Sequence, residues 1–164
     1  NIAFLDTSDL MPQALANLGS PWDLVLQWDP VKPFLAGKGA YRRFGKTLPL
    51  YVNDLNELRR YDAYWIDAGA ANVATINPNP PPGRTITLQP GWNNFVYTGA
   101  SQSVADALAT IDGEYSEVLQ YENASSSWLT YVPGRQRYFN DFGGLYKLKV
   151  YWIYMTENAT LTMN

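Results

Sequence analysis

Cysteine and histidine are both absent from the chain. Their absence excludes disulfides, thiol nucleophiles and zinc sites built from the usual nitrogen and sulfur ligands, and it removes the side chain that most often acts as general base near neutral pH. Charge is sparse as well, at 16% of residues with a net charge of -3. A duplex-binding protein would carry a stronger basic balance, so no nucleic-acid partner is expected. No apolar run approaches the ~20 residues that a spanning helix needs, so no membrane insertion is expected. The chain also lacks a Walker loop, G-x-G-x-x-G, EF-hand spacing and G-x-S-x-G, which leaves no expected cofactor or metal. It opens at Asn1 without a methionine or a signal-like segment and reads as a processed chain or an excised fragment.

Charge is unevenly placed. Residues 1–31 carry Asp6, Asp9, Asp23 and Asp29 and no basic residue, whereas the segment Lys32 to Arg60 is predominantly basic and contains only Asp54 and Glu57 as acids. Such a segment most simply forms a solvated face, with an anionic partner as the alternative.

What the chain has in excess is aromatic rings, with six Trp, twelve Tyr and six Phe, and many of them recur. Pro12 to Trp28 lies over Ala105 to Tyr121, matching Ala14-Leu15-Ala16 to Ala107-Leu108-Ala109 and Val25-Leu26-Gln27 to Val118-Leu119-Gln120. After a shift of register, Tyr51 to Ile66 lies over Tyr138 to Ile153, sharing the Tyr, the Asn-Asp, a Leu and the closing Tyr-Trp-Ile. The first copy is longer between Trp28 and Tyr41, a difference that is expected to sit in a loop. Between the copies Asn77 to Arg84 is too rich in proline for a central strand or a helix and reads as an extended linker. The expected organisation is therefore a first unit over 1–76 with its opening strand cut short, a linker over 77–84 and a second unit over 85–164.

Within a unit, Trp22, Leu24, Leu26 and Trp28 alternate with Asp23, Val25, Gln27 and Asp29, the period of a strand with one buried face. Val104, Ala105, Ala107, Leu108 and Ile111 follow helical spacing, with Ser103 and Asp106 as a capping box and Gly113 placed to end the helix. The equivalent helix of the first copy has Pro12 in its first turn and Gly19 after its end. Further strands are expected in Asn93 to Gly99, Ser127 to Val132, Val150 to Met155 and Ala159 to Met163. The fold class is α+β, mostly β: two tandem copies of a small β-α-β-β-β-β unit, an antiparallel layer or open barrel with one covering helix.

The Pro90-Gly91-Trp92-Asn93 opening, the Ala105 to Ala109 helix and the closing Tyr151-Trp152-Ile153 resemble the GWN…YWI type of tandem repeat module found near the C-termini of bacterial and archaeal extracellular proteins. The likeness covers almost the whole chain. It implies an accessory role in an extracellular or cell-surface protein, with neighbouring domains of a larger parent as partners. The Pro-Gly-x-Gly turn that usually precedes Tyr-Trp-Ile is replaced here by Arg60-Tyr61-Asp62-Ala63 and by Lys147-Leu148-Lys149-Val150.

Without histidine or cysteine, paired carboxylates are the main remaining route to hydrolysis; a lysine-activated serine stays open, although nothing specific in the sequence points to one. Only Asp54 and Asp141 recur, each in an Asn-Asp next to a turn, where such side chains commonly bond local backbone. Aromatics offer another test. Where both copies hold a ring, as at Trp22 and Tyr115, Trp28 and Tyr121, Tyr41 and Trp128, Phe44 and Tyr131, Tyr51 and Tyr138, or Trp65 and Trp152, packing is the simpler reading. Where only one copy does, the fold does not require the ring and exposure is expected. Tyr154 stands against Asp67, Tyr146 against Arg59, and Phe34 lies in the stretch present only in the first copy. Trp128 joins them because it follows the serine-rich loop. With the amides of Gln120 and Asn140 these four rings form the candidate ligand-binding set, and polysaccharide is the expected ligand. Three functions stay open: a non-catalytic glycan-binding module, a structural or adhesive spacer, and a glycoside hydrolase working with carboxylates alone.

Overall fold

The computed structural model describes residues 2–3, 9–11, 15, 22–34, 37–69 and 83–164. The first-copy helix expected around 12–19 falls outside the described residues apart from Leu15, as does the proline segment up to residue 82. The chain divides into two compact units, Asn1–Asn79 and Pro80–Asn164. Both are mostly β.

The first unit contains β1 (Ile2–Ala3), β2 (Asp9–Leu10), β3 (Trp22–Phe34), β4 (Gly37–Gly45), β5 (Glu57–Leu58) and β6 (Ala63–Ala68). Its main antiparallel sheet has the order β1-β6-β3-β4, and β2 pairs with β5. The second unit contains β7 (Arg84–Leu88), β8 (Gly91–Val96), β9 (Gln102–Ser103), the single-turn helix α1 (Val104–Ala107), β10 (Tyr115–Glu122), β11 (Ser127–Tyr131), β12 (Gly144–Leu145), β13 (Val150–Met155) and β14 (Ala159–Met163). Its main sheet has the order β8-β13-β10-β11, with β9 paired to β12 and β7 to β14.

The helix of the second unit is shorter than its apolar spacing predicts. Ser103 caps it by accepting from the Asp106 backbone N–H at 3.1 Å, but after one turn the chain tightens into a 3-10 turn at Ala109–Ile111. The apolar stripe is still used: Val104, Ala107, Leu108 and Ile111 are buried, whereas Ala105 is exposed.

The strand Trp22 to Trp28 departs from simple alternation. The β3–β6 register breaks between Trp22 and Leu24, and the extra residue of this bulge moves Trp22 onto the same face as Val25. Trp22 and Val25 are buried, while Leu24, Leu26 and Trp28 are only half-buried. In β10 the break falls between Tyr115 and Glu117, again placing an aromatic, Tyr115, with the buried valine, Val118. The extra length of the first unit is not a loop either. There β3 and β4 continue as a hairpin arm, pairing Pro33 with Lys38 and Phe34 with Gly37 beyond a second break. Asp29 secures its base, accepting from the Val31 backbone N–H at 3.0 Å and the Arg42 side chain at 2.9 Å.

In the second unit Tyr151, Ile153 and Met155 of the central strand β13 join Phe95, Val118 and Leu161 in the core. Full burial of such side chains contributes about 1.5–3 kcal/mol each. In the first unit Tyr64 is buried with Leu55, Leu58 and Val25, and Ile66 packs against them. Both tyrosines use the hydroxyl to hold the turn before their own strand: Tyr64 accepts from the Arg59 backbone N–H and Tyr151 from the Tyr146 backbone N–H, each at 2.8 Å. Those turns put Tyr61 and Leu148 at φ 67° and 66°, a left-handed conformation that glycine adopts more readily and that costs an L side chain about 1 kcal/mol.

Burial pushes the Tyr151 phenol up to about 12, with the Tyr146 backbone N–H acting against the rise, and burial does the same for Tyr115, also to about 12. Because both are raised in the fold, their contribution to stability is complete below pH 10 and is lost as pH climbs from 10 to about 12, at about 1.4 kcal/mol per pH unit for each phenol. An absorbance titration of phenolate followed alongside circular dichroism should find these rings ionising together with loss of structure near pH 12. Titration of every tyrosine at the ordinary value with structure intact would contradict this.

Candidate functional site

Alternation in β13 sends Trp152 and Tyr154 to the side of the sheet opposite the core. The neighbouring strands bring more rings to that side. Trp92 of β8 pairs in register with Tyr154, and Tyr121 of β10 pairs with Trp128 of β11. Four ring contacts join the five residues. Tyr154 meets Trp92 at 5.2 Å between centroids, Trp92 meets Trp152 at 6.3 Å, Trp152 meets Trp128 at 6.4 Å and Trp128 meets Tyr121 at 5.1 Å. The interplanar angles run from 63° to 83°, so each contact is edge to face, the arrangement favoured by the ring quadrupole. Trp152 is almost enclosed by its neighbours at 7% exposure, while Trp128 at 44% and Tyr154 at 39% face solvent.

The start of β8 shows how Trp92 is aimed. Gly91 takes φ 93°, and Asn93 turns inward to 3% exposure. Its carboxamide accepts from the Gln89 backbone N–H at 2.9 Å and donates to the carbonyls of Gln89 at 2.7 Å and Gly91 at 3.0 Å. With Asn93 tied to the turn on the core side, Trp92 is directed outward. The Pro90 to Asn93 stretch thus encodes a turn and a ring orientation together.

The residues expected to bind ligand do not form one cluster. Trp128 and Tyr154 share the aromatic face. Tyr146 is 55% exposed but lines a separate cleft that follows β12. Gln120 lies two positions beyond the buried Val118 on β10 and therefore shares the core-side face, opposite Trp128. Asn140 accepts from the Val132 backbone N–H at 2.8 Å and donates to the Val132 carbonyl at 3.3 Å, so its amide braces a turn. The side chain of Phe34 lies outside the described residues.

The Asn-Asp pairs share one task. Asn53 makes with Gly45 the two bonds that Asn140 makes with Val132. Asp54 accepts from the Arg43 backbone N–H at 2.7 Å and Asp141 from that of Thr130 at 2.8 Å. Partial burial pushes the Asp54 carboxyl up, but the hydrogen bond and charge of Lys32 and the Arg43 N–H outweigh it, so the group is held below its ordinary value. Asp54 lines a polar cleft of about 450 Å³ in the first unit with Asp29, Arg42, Glu57 and Arg59, where Arg42 is paired with Asp29 and Arg59 with Glu57.

One reading from recurrence is corrected. Tyr51 and Tyr138 recur, yet neither joins a core: they are 90% and 73% exposed, beside the exposed Leu50 and Phe139, and among the described residues Tyr138 has a ring contact with Phe139 alone at 4.3 Å. Each sits in a 3-10 turn, Leu50–Val52 or Arg137–Phe139, held by the adjacent Asn-Asp side chains, so the turn does not need the ring. Trp92 and Tyr121 belong to the aromatic face although neither is among the rings expected from the sequence to bind ligand; alternation from Asn93 places Trp92, and the register with Trp128 places Tyr121. No pattern in the sequence points to Arg135 and Arg137.

No protein-family model, curated protein or solved structure matches the chain.

Replacing Asn93 by Ala strips three backbone partners from the Pro90-Gly91 turn and should destabilise the protein by about 1–3 kcal/mol. Weakening of the near-ultraviolet circular dichroism from the packed Trp92 ring should accompany it. An unchanged melting temperature with an unchanged spectrum would show that the turn does not orient Trp92.

Proposed function

We propose that the two units are copies of one small β fold and that the chain is a non-catalytic accessory module of an extracellular or cell-surface protein, binding polysaccharide on the aromatic face of the second unit. The observation that carries this reading is the unbroken row Tyr154, Trp92, Trp152, Trp128 and Tyr121 on the side of the sheet away from the core, with its exposed rings braced edge-on by others. The C–H face of a sugar ring packs against the electron-rich face of an aromatic ring, and rings already held by neighbours lose little freedom when it does. Touching rings stand steeply to one another, so the face suits a single soluble chain that can turn with it and not a flat crystalline surface.

The duplication is supported by the strand registers. Val25 pairs with Phe44 and Ile66 as Val118 pairs with Tyr131 and Ile153, and Leu10 opposes Glu57 as Ser103 opposes Gly144. Ile2 opposes Tyr64 as Phe95 opposes Tyr151. The extracellular setting rests on the resemblance of the Pro90 to Asn93 and Tyr-Trp-Ile motifs. The engagement of Asp54 and Asp141 with backbone N–H groups favours a non-catalytic role. A second reading, an adhesive spacer, is favoured by the apolar pairs Leu50-Tyr51 and Tyr138-Phe139 displayed on both units.

Affinity electrophoresis through a panel of soluble neutral polysaccharides tests the first reading. At least one should retard the protein, and the double variant W128A/Y154A should weaken that retention by about tenfold or more while melting within a few degrees of the parent. No retardation by any polysaccharide, or retention indifferent to both substitutions, would overturn it.

A further inference from the structure

A second recess of the same unit, about 690 Å³, is lined by Arg135, Arg137, Tyr146, Tyr131, Ser101 and Gln102 among others, and no carboxylate lines it. Arg135 and Arg137 are exposed and make no ion pair among the described residues. The cleft of the first unit is different, because its arginines are matched by Asp29 and Glu57. The acids that flank lining residues in the sequence make local bonds: Asp106 accepts from the Ser103 hydroxyl at 2.5 Å, and Asp141 from the Thr130 backbone N–H.

The walls around these guanidinium groups are held in place. Asn140 braces the turn that carries Arg135 and Arg137 through its bonds to Val132. The Tyr146 backbone N–H donates to the buried Tyr151 hydroxyl, and the Lys147 N–H donates to the Ser101 hydroxyl at 3.0 Å. Two exposed arginines without an ion pair among the described residues therefore line a recess whose backbone is braced, and the exposed Tyr146 lines it with them. In the alignment of the two copies, the positions of Arg135 and Arg137 are occupied by Leu48 and Leu50, so nothing in the shared fold requires a cation at either one.

We infer that this recess is a second ligand site, specific for an anionic group, carboxylate or sulfate, carried on a sugar ring. The two guanidinium groups bind the oxyanion through charge-assisted, bidentate hydrogen bonds, and Tyr146 packs against the ring that bears it. The anion rests on the arginines alone. The sugar as its carrier rests on the glycan reading above.

Isothermal titration with trigalacturonate, with its neutral counterpart galactotriose and with a sulfated galactose oligosaccharide tests the assignment. The acidic ligands should bind in a salt-sensitive way, and R135Q/R137Q should weaken them by about tenfold or more, with the melting temperature and any retention by neutral polysaccharide unchanged. A preference for trigalacturonate would identify a carboxylate site, and a preference for the sulfated sugar a sulfate site. Equal binding of acidic and neutral oligosaccharides by the W128A/Y154A variant, acidic binding unaffected by R135Q/R137Q, or no acidic binding would each overturn the inference. If neutral polysaccharide is still retained through Trp128 in that case, the recess assignment alone has failed. If acidic sugars bind through the arginines but W128A/Y154A changes nothing for neutral ones, the aromatic-face reading alone has failed.

Discussion

Because successive residues of a strand point to opposite sides of its sheet, burying Tyr151, Ile153 and Met155 in the second unit obliges Trp152 and Tyr154 to face the other way. The core and the aromatic face are thus two consequences of one constraint in β13. Neighbouring strands inherit it through register: Trp92 is fixed opposite Tyr154, and Leu119 opposite Trp152. A slip of one residue would bury Tyr154 and expose Ile153, so the apolar core itself maintains the orientation of the outer rings. Tyr151 adds a second link. Its buried hydroxyl holds the Tyr146 backbone, tying the cleft wall to the same strand.

Much of the sheet is legible in the sequence because alternation and turn chemistry are local. Strand alternation separates Tyr and Ile of Tyr-Trp-Ile from the intervening Trp, as Tyr151 and Ile153 in the core and Trp152 on the other side show, and the Asn-Asp pairs read as local backbone braces beside turns, as their bonds show. The bulges were not legible. An extra residue between Trp22 and Leu24 leaves the apolar alternation of Trp22 to Trp28 intact on paper while transferring Trp22 to the face of Val25. The insertion after Trp28 reads as a loop because length differences are most easily tolerated there, yet paired backbone continues through it to Phe34 and Gly37.

The candidate site was harder to read than the fold, and for a different reason. Comparing the two matched stretches of sequence points to positions where a ring is not kept, and Tyr154 and Tyr146 are both exposed as that comparison expects. It does not identify which tolerant positions come together, since Tyr146 and Tyr154 belong to different surfaces. Nor does recurrence distinguish a buried ring from one retained on the surface, which is why Tyr51 and Tyr138 resisted the packing reading. Asn140 and Gln120 show the same limit: an amide has identical chemistry whether it braces Val132 or faces a ligand, and only the register separates them.

The central claim, that the side of the second sheet away from its core is a binding surface for sugar chains, makes the indole N–H groups its most direct reporters. All six tryptophans can be followed in one nitrogen–proton correlation spectrum of tryptophan-labelled protein as neutral oligosaccharides are added. The account predicts saturable shifts of Trp92, Trp128 and Trp152, with Trp22, buried in the first unit, unmoved. Shifts confined to Trp22, Trp28 and Trp65, or no shift of any indole across the panel, would contradict it.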